Sequence, residues 1–235
     1  MKFRIPLLLA LLGAASMYSC SVVDDPGPLE FIERTYGQSG FVSVEAEDAI
    51  HVTITSGEFY EVKARGDRRN IEDLVVDQEG STLKVRFEDR RNRRHTTYID
   101  ITMPSLMHAE FSGACVAFIG GFSDLDVLNL TLSGASLCDV QADAAALHAA
   151  VSGASVLRVW GEGQTMKVSL SGASRLRAFT FPVDHAELLL SGASDASVTV
   201  ADNLEGVATG ASKIVYRGNP AVSVAASGES TVRHE

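Results

Sequence analysis

Apolar residues occupy every second position through most of this chain, and a glycine-centred motif breaks the alternation at a nearly even interval. Phe41 to Glu45, Ala49 to Thr55, Tyr60 to Ala64, Thr82 to Phe87 and Tyr98 to Met103 each alternate. A period of two turns successive side chains to opposite faces and predicts β-strands. Gly57, Gly66 and Gly80 punctuate these stretches, and Asn70 to Leu74 predicts one helical turn. From Phe111 onward the alternation is organised around Ser/Thr-Gly pairs at Gly113, Gly134, Gly153, Gly172, Gly192, Gly210 and Gly228, with gaps of 21, 19, 19, 20, 18 and 18 residues. Around each glycine the same positions are mostly apolar. For Gly172 they are Val168 and Leu170 before it, Leu176 and Ala178 after it.

Units this short cannot hold a strand, a crossover helix and a second strand. They suit one rung of a parallel β-helix, stacked on the next at about 4.8 Å. Each unit then has one strand before the glycine and one after, with the glycine at the corner, where positive φ costs it little. The predicted fold is therefore all-β: a single-stranded parallel β-helix of rungs of about 19 residues over 111–235, continuous with a β-rich N-terminal part over 31–110. That first part is read either as hairpins or as irregular first rungs, and one end of the helix needs a cap.

The motif itself reads LSGAS at Leu132 to Ser136, Leu170 to Ser174 and Leu190 to Ser194, and VSGAS at Val151 to Ser155. Two residues after each glycine stands Cys115, Ser136, Ser155, Ser174, Ser194, Ser212 or Ser230. A nucleophile is needed once, beside a base. Repeated serines with no recurrent histidine predict a structural ladder in which the hydroxyls satisfy nearby backbone groups. Cys115 falls in that ladder and Cys138 at a core position one rung on, so no disulfide between them is expected.

The first residues belong to a different category. Met1 to Arg4 is basic, Leu7 to Ala15 is apolar but too short to span a bilayer, and Ser19-Cys20 follows. This resembles a bacterial lipoprotein signal, with Tyr18 departing from the usual small residue. The resemblance implies a signal peptide over 1–19, acylation of Cys20, a tether over 20–30 and a membrane partner reached through the lipid. Asp24 and Asp25 resemble the surface-export signal of Bacteroidetes lipoproteins. The chain of 235 residues carries a formal net charge of -10. That argues against a nucleic-acid partner, which needs a basic face. The scattered histidines show no metal-ligand spacing, and no cofactor is predicted.

The exported start, AIHVTITSGEFYEVKARGD, STLKVRF, IDITMPSL and the iterated LSGAS together resemble the putative auto-transporter adhesin, head GIN domain family, over roughly residues 40–220. The resemblance implies a right-handed single-stranded β-helix and an adhesin of the cell envelope, an outer-membrane lipoprotein exposed at the surface. It carries over no catalytic or ligand residue.

Candidate ligand chemistry lies on outward positions. Arg158 and Trp160 follow Gly153 by five and seven residues, and Arg177 and Phe179 follow Gly172 likewise. Parity places all four outside the core, each pair one rung apart. Such a platform suits a sugar ring by stacking and an acidic group by charge-assisted bonds; it equally suits a cation–π cluster or a protein contact. The run Asp89 to His95 reads as a solvated hairpin tip or an anion site, and Arg65-Gly66-Asp67 matches an integrin-binding tripeptide but is read as a turn. Gly120 to Asp126 faintly resembles a calcium-binding β-roll turn, but its ligands do not recur on other rungs. The expected function is a non-enzymatic, lipid-anchored envelope protein that binds a glycan or another surface macromolecule. The alternatives are a polysaccharide-acting β-helix enzyme, and a structural protein that docks through an open β-helix end. The polar C-terminal rungs, with Glu229, Arg233 and His234, are read as a closing cap.

Overall fold

The structure, a computed structural model, describes residues 27–89, 91 and 93–235. The signal peptide, Cys20 and Asp24–Asp25 lie outside the described residues. In chain order the elements are β1 (Phe31–Tyr36), β2 (Ser43–Ala46), β3 (His51–Ser56), β4 (Glu61–Asp67), α1 (Arg68–Glu72), β5 (Leu74–Glu79), β6 (Thr82–Phe87), β7 (Tyr98–Met103) and β8 (His108–Phe111). They continue as β9 (Val116–Leu132), β10 (Leu137–Val151), β11 (Val156–Trp160), β12 (Thr165–Leu170), β13 (Arg175–Leu190), β14 (Asp195–Ala208), β15 (Lys213–Arg217), β16 (Ala221–Ala226) and β17 (Thr231–His234).

From β8 to β17 the chain is a parallel β-solenoid. Successive rungs pair in parallel, in register along the strands flanking the SGAS corner: Leu137 to Gln141 beside Val156 to Trp160, and Ala146 to Val151 beside Thr165 to Leu170. The alternation follows directly. Cys138, Val140, Leu157, Val159, Leu176 and Ala178 are buried, and the residues between them face outward. The SGAS corner joins the two strands of a rung on one side. A short segment of variable length joins them on the other, with Phe122, Ala142, Phe181 and Val200 packed inward.

At the corner, backbone hydrogen bonds run from rung to rung: Ala154 N–H donates to Gly134 O, and Ala173 N–H to Gly153 O, both at 2.8 Å. Most of the serine hydroxyls turn back into their own corner, while Ser174 donates to Val151 O on the preceding rung at 3.0 Å. Ser136, Ser194 and Ser212 donate to the carbonyls of Ser133, Ser191 and Thr209 at 2.9, 2.8 and 2.7 Å. The ladder is thus structural: it satisfies carbonyls that a tight, buried corner would otherwise leave unpaired. Cys115 and Cys138 are both buried free thiols.

The N-terminal part supplies rungs in an order that the sequence does not announce. β2 and β3 form a rung between β6–β7 on one side and β8–β9 on the other. The chain therefore lays down β2–β3, leaves to build the end of the stack, and returns past its own first rung. At that rung's corner Asp48 and Ala49 take positive φ, 66° and 61°; aspartate tolerates this region better than most side chains. β4 pairs antiparallel with β7, β1 with β4, and β5 with β6. These antiparallel strands and α1 close the N-terminal end and hide the parallel edge. The helical turn forms at 68–72, with Asp67 accepting from the Arg69 N–H as its N-cap. At the other end β16 and β17 are the last strands of the two stacks. Val222, an inward position in register with Leu204, is 43% exposed there. His234 stacks edge-on against Tyr216, and Arg217 pairs with Glu235 at 2.5 Å.

Candidate functional site

The outward side of the strand that follows each SGAS corner carries the four residues singled out by parity. Register places Arg158 directly beside Arg177. It does not place Trp160 beside Phe179. The ladder between β11 and β13 slips after Arg158, so that Trp160 pairs with Thr180. The cause lies in the length of the unit: Gly172 and Gly192 are 20 residues apart, one more than the preceding pair, and the surplus is absorbed here. Ala178 and Phe181 both turn inward, with Phe179 half-buried between them. The two aromatics are separate elements of one face rather than a stacked pair.

Their surroundings differ too. Arg158 makes a two-pronged pair with Asp139, at 2.5 and 2.6 Å, and its guanidinium stands 5.9 Å from the Trp160 ring centroid. Trp160 keeps 39% of its surface exposed. Phe179 is covered by Arg217 at 4.1 Å. Arg177 is exposed and makes no hydrogen bond or ion pair among the described residues. The site offers an open indole face beside one uncommitted guanidinium.

The other sequence candidates resolve differently. The described residues of the arginine run, 89, 91 and 93–95, lie in the connection between β6 and β7, which are not paired with each other as a hairpin. Arg93 folds back onto Asp73, Asn70 and the ring of Phe87, and its side chain is only 10% exposed. Arg65-Gly66-Asp67 ends strand β4, paired with β1, rather than forming a turn, and the aspartate is 2% exposed and held by Arg69 at 2.7 Å, so the tripeptide is not presented as a loop. The Arg69 hydrogen bond keeps the Asp67 carboxyl well below the usual carboxylate range, against the opposing effect of burial. Burial pushes the Cys115 thiol up to about 11 and raises that of Cys138 further.

Asp124 and Asp126 line a hollow of about 720 Å³ on the variable side of the solenoid, with Asp143, Glu162 and Asp184. No three of these groups are arranged to hold a metal among the described residues; Asp143 instead accepts the Glu162 N–H at 3.0 Å. A smaller groove of about 400 Å³ runs beside the serine ladder, past Ala150, Ser169, Leu189 and Val207. Periodicity reasoning passed over it, because a Leu and a Val at outward positions look like ordinary surface residues.

The model of the putative auto-transporter adhesin, head GIN domain family matches residues 40–220. The chain belongs to this family. No curated protein matches it. Among solved structures, a putative adhesin from Bacteroides fragilis superposes with a TM-score of 0.79 at 19% identity, covering 88% of this chain and 97% of its own. One from Parabacteroides merdae gives 0.73 at 16%, covering 88% and 96%. A protein from Parabacteroides distasonis described as a putative lipid binding protein gives 0.72 at 15%, covering 87% and 96%. At these identities the likeness establishes the shared solenoid of the head GIN fold. Among the described residues no helix is long and apolar enough to cross a membrane.

Proposed function

We propose that this chain is a non-enzymatic adhesin of the cell envelope, anchored through an acylated Cys20, that binds a glycan on the outward face around Arg158, Trp160, Arg177 and Phe179. The observation that carries the reading is the open Trp160 ring beside an unpaired Arg177 on a rigid sheet. Aromatic faces stack on sugar rings, and guanidinium groups supply charge-assisted hydrogen bonds. The paired sheet fixes the backbone under both residues, and Arg158 stands against the Trp160 ring, which lowers the ordering cost of binding for that ring. Membership of an adhesin family and the lipoprotein-like start support the reading of an activity at the cell envelope. Among the described residues the ladder hydroxyls donate to backbone carbonyls rather than to a base, and the Asp67 carboxylate is engaged by Arg69; both features speak for binding rather than catalysis.

The test is adhesion of cells that display the chain to glycan-coated surfaces. Cys20→Ala should release the protein from the membrane fraction and abolish adhesion. Trp160→Ala should abolish adhesion while leaving the protein anchored. Unchanged adhesion in both variants would overturn the reading. A second reading, an aliphatic lipid, is favoured by the groove in which Leu189 and Val207 are 39% and 42% exposed, and by the description of the Parabacteroides distasonis relative in shape. Extraction of bound lipid from purified protein, lost in Leu189→Lys, would decide for it.

A further inference from the structure

Three outward arginines of this face form an ion pair with a neighbouring rung, and two among the described residues, Arg177 within the stack and Arg233 on the last rung, form none. Arg175 sits in register beside Asp195, with which it pairs at 3.6 Å. Arg158 sits in register beside Asp139, and Arg217 pairs with Glu235. Each of these guanidinium groups thus has a carboxylate partner on a neighbouring rung. Of the two, Arg177 is the one flanked by rungs on both sides. Its in-register neighbours are Arg158 on one side and Ser197 on the other. Its outward neighbours along its own strand are Arg175 and Phe179.

Like charges directly opposite on neighbouring strands destabilise a sheet. The chain has 30 acidic against 20 basic residues, so an acidic side chain at position 177 would be unexceptional in composition and would complete an alternating column with Asp139 and Arg158. An arginine there keeps a local excess of positive charge, on the side of the rung next to the open Trp160 ring. An anionic ligand group would relieve that repulsion on binding, whereas a neutral sugar would not.

We propose that Arg177 makes this face selective for an anionic glycan, with the carboxylate or sulfate of a sugar residue seated between Arg177 and Arg158 while its ring lies on Trp160. This rests on the glycan reading above and names the class of glycan. Because Arg158 is already clamped by Asp139, Arg177 supplies most of the recognition. Electrostatic attraction of this kind weakens with salt.

The experiment uses the chain from Ser21 onward, which contains every described residue, with three immobilised probes: polygalacturonate, dextran sulfate and neutral dextran. Retention on one or both anionic probes, at least 10-fold weaker on dextran and reduced by raised salt, is the expected result; the anionic probe that binds more tightly tells carboxylate from sulfate. Arg177→Glu should lose at least 10-fold in retention. The same variant should hold or raise Tm, by about 1–3 °C, because it replaces a like-charge contact with an exposed ion pair. Retention on dextran that needs Trp160 and ignores Arg177→Glu would overturn the inference and leave the glycan reading standing. Retention on none of the probes would overturn the inference, and an array of glycans with no hits would remove the reading beneath it. A clear fall in Tm for Arg177→Glu would show that Arg177 stabilises the sheet and would also overturn it.

Discussion

Gly172 lies directly against Gly153: a Cβ on Gly172 would stand 2.6 Å from the Gly153 carbonyl oxygen, the atom that accepts the Ala173 N–H. Two constraints meet at that position. Its φ of 75° belongs to the left-handed region, and the neighbouring rung leaves no room for a methyl group. Gly172→Ala should therefore cost about 3 kcal/mol, the left-handed penalty plus local separation of two rungs. Gly80, with φ of 60° and nothing near its missing Cβ, is the control: Gly80→Ala should cost about 1 kcal/mol. Urea unfolding of the two variants compares them. Equal losses would mean that the corner yields easily and that the ladder is not the rigid spine described here.

Asp67 makes stability depend on acid pH. Its folded-state carboxyl is held far below the unfolded value of about 3.9. Its contribution is thus complete above that value and is lost as pH falls below about 4, where the unfolded chain takes a proton and the folded chain does not. Asp67→Asn should destabilise by about 2 kcal/mol at pH 7, through the loss of an N-cap and of charge-assisted bonds to Arg69. The difference from the parent should shrink below pH 4. A gap that stays constant down to pH 2.5 would contradict this.

Cys115 and Cys138 are fully buried, and both thiols are held in the protonated form. Iodoacetamide at pH 8 should leave both unmodified in the folded protein and label both in 6 M guanidinium, as mass spectrometry would read. Rapid labelling of the native chain would mean that the solenoid opens far more often than its packing implies.

Arg93 pins the corner between β6 and β7 onto Asp73, Asn70 and Phe87. Arg93→Ala should destabilise by about 3 kcal/mol, because Asp73, itself only 10% exposed, keeps just the longer contact to Arg91 at 3.7 Å. Arg86→Ala, which removes an exposed 3.6 Å pair with Asp77, should cost less than about 1 kcal/mol. Similar losses in thermal unfolding would remove the special role of Arg93.

Most of the solenoid was legible in the sequence because stacking repeats one local problem on every rung. The same corner must turn left-handed, touch the rung beneath and satisfy its carbonyls, so Gly172 and Ser174 reappear as Gly192 and Ser194. What escaped reading depended on partners distant in sequence. The insertion of β2–β3 between β6–β7 and β8–β9 leaves no local mark on Val44 or Ile54, whose alternation is the same whatever strand lies beside them. β1 and β5 were missed: Phe31–Tyr36 shows no clear alternation, and Val75 and Val76 place two apolar residues together. In the candidate patch, parity gave the outward side on which Arg158, Trp160 and Arg177 are found. It failed for the Trp160–Phe179 stack because a single surplus residue after Ala178 shifts the register, and counting from Gly172 cannot see where that residue is accommodated.

The central claim is that the face bearing Trp160 and Arg177 binds a glycan. A glycan array probed with the soluble chain from Ser21 onward, beside the Trp160→Ala, Arg177→Ala double variant, tests it most directly. The account predicts discrete hits for the parent, enriched in acidic sugars, and their loss in a variant that retains the parent's circular dichroism. The same hits in both proteins, or none with the parent, would contradict it.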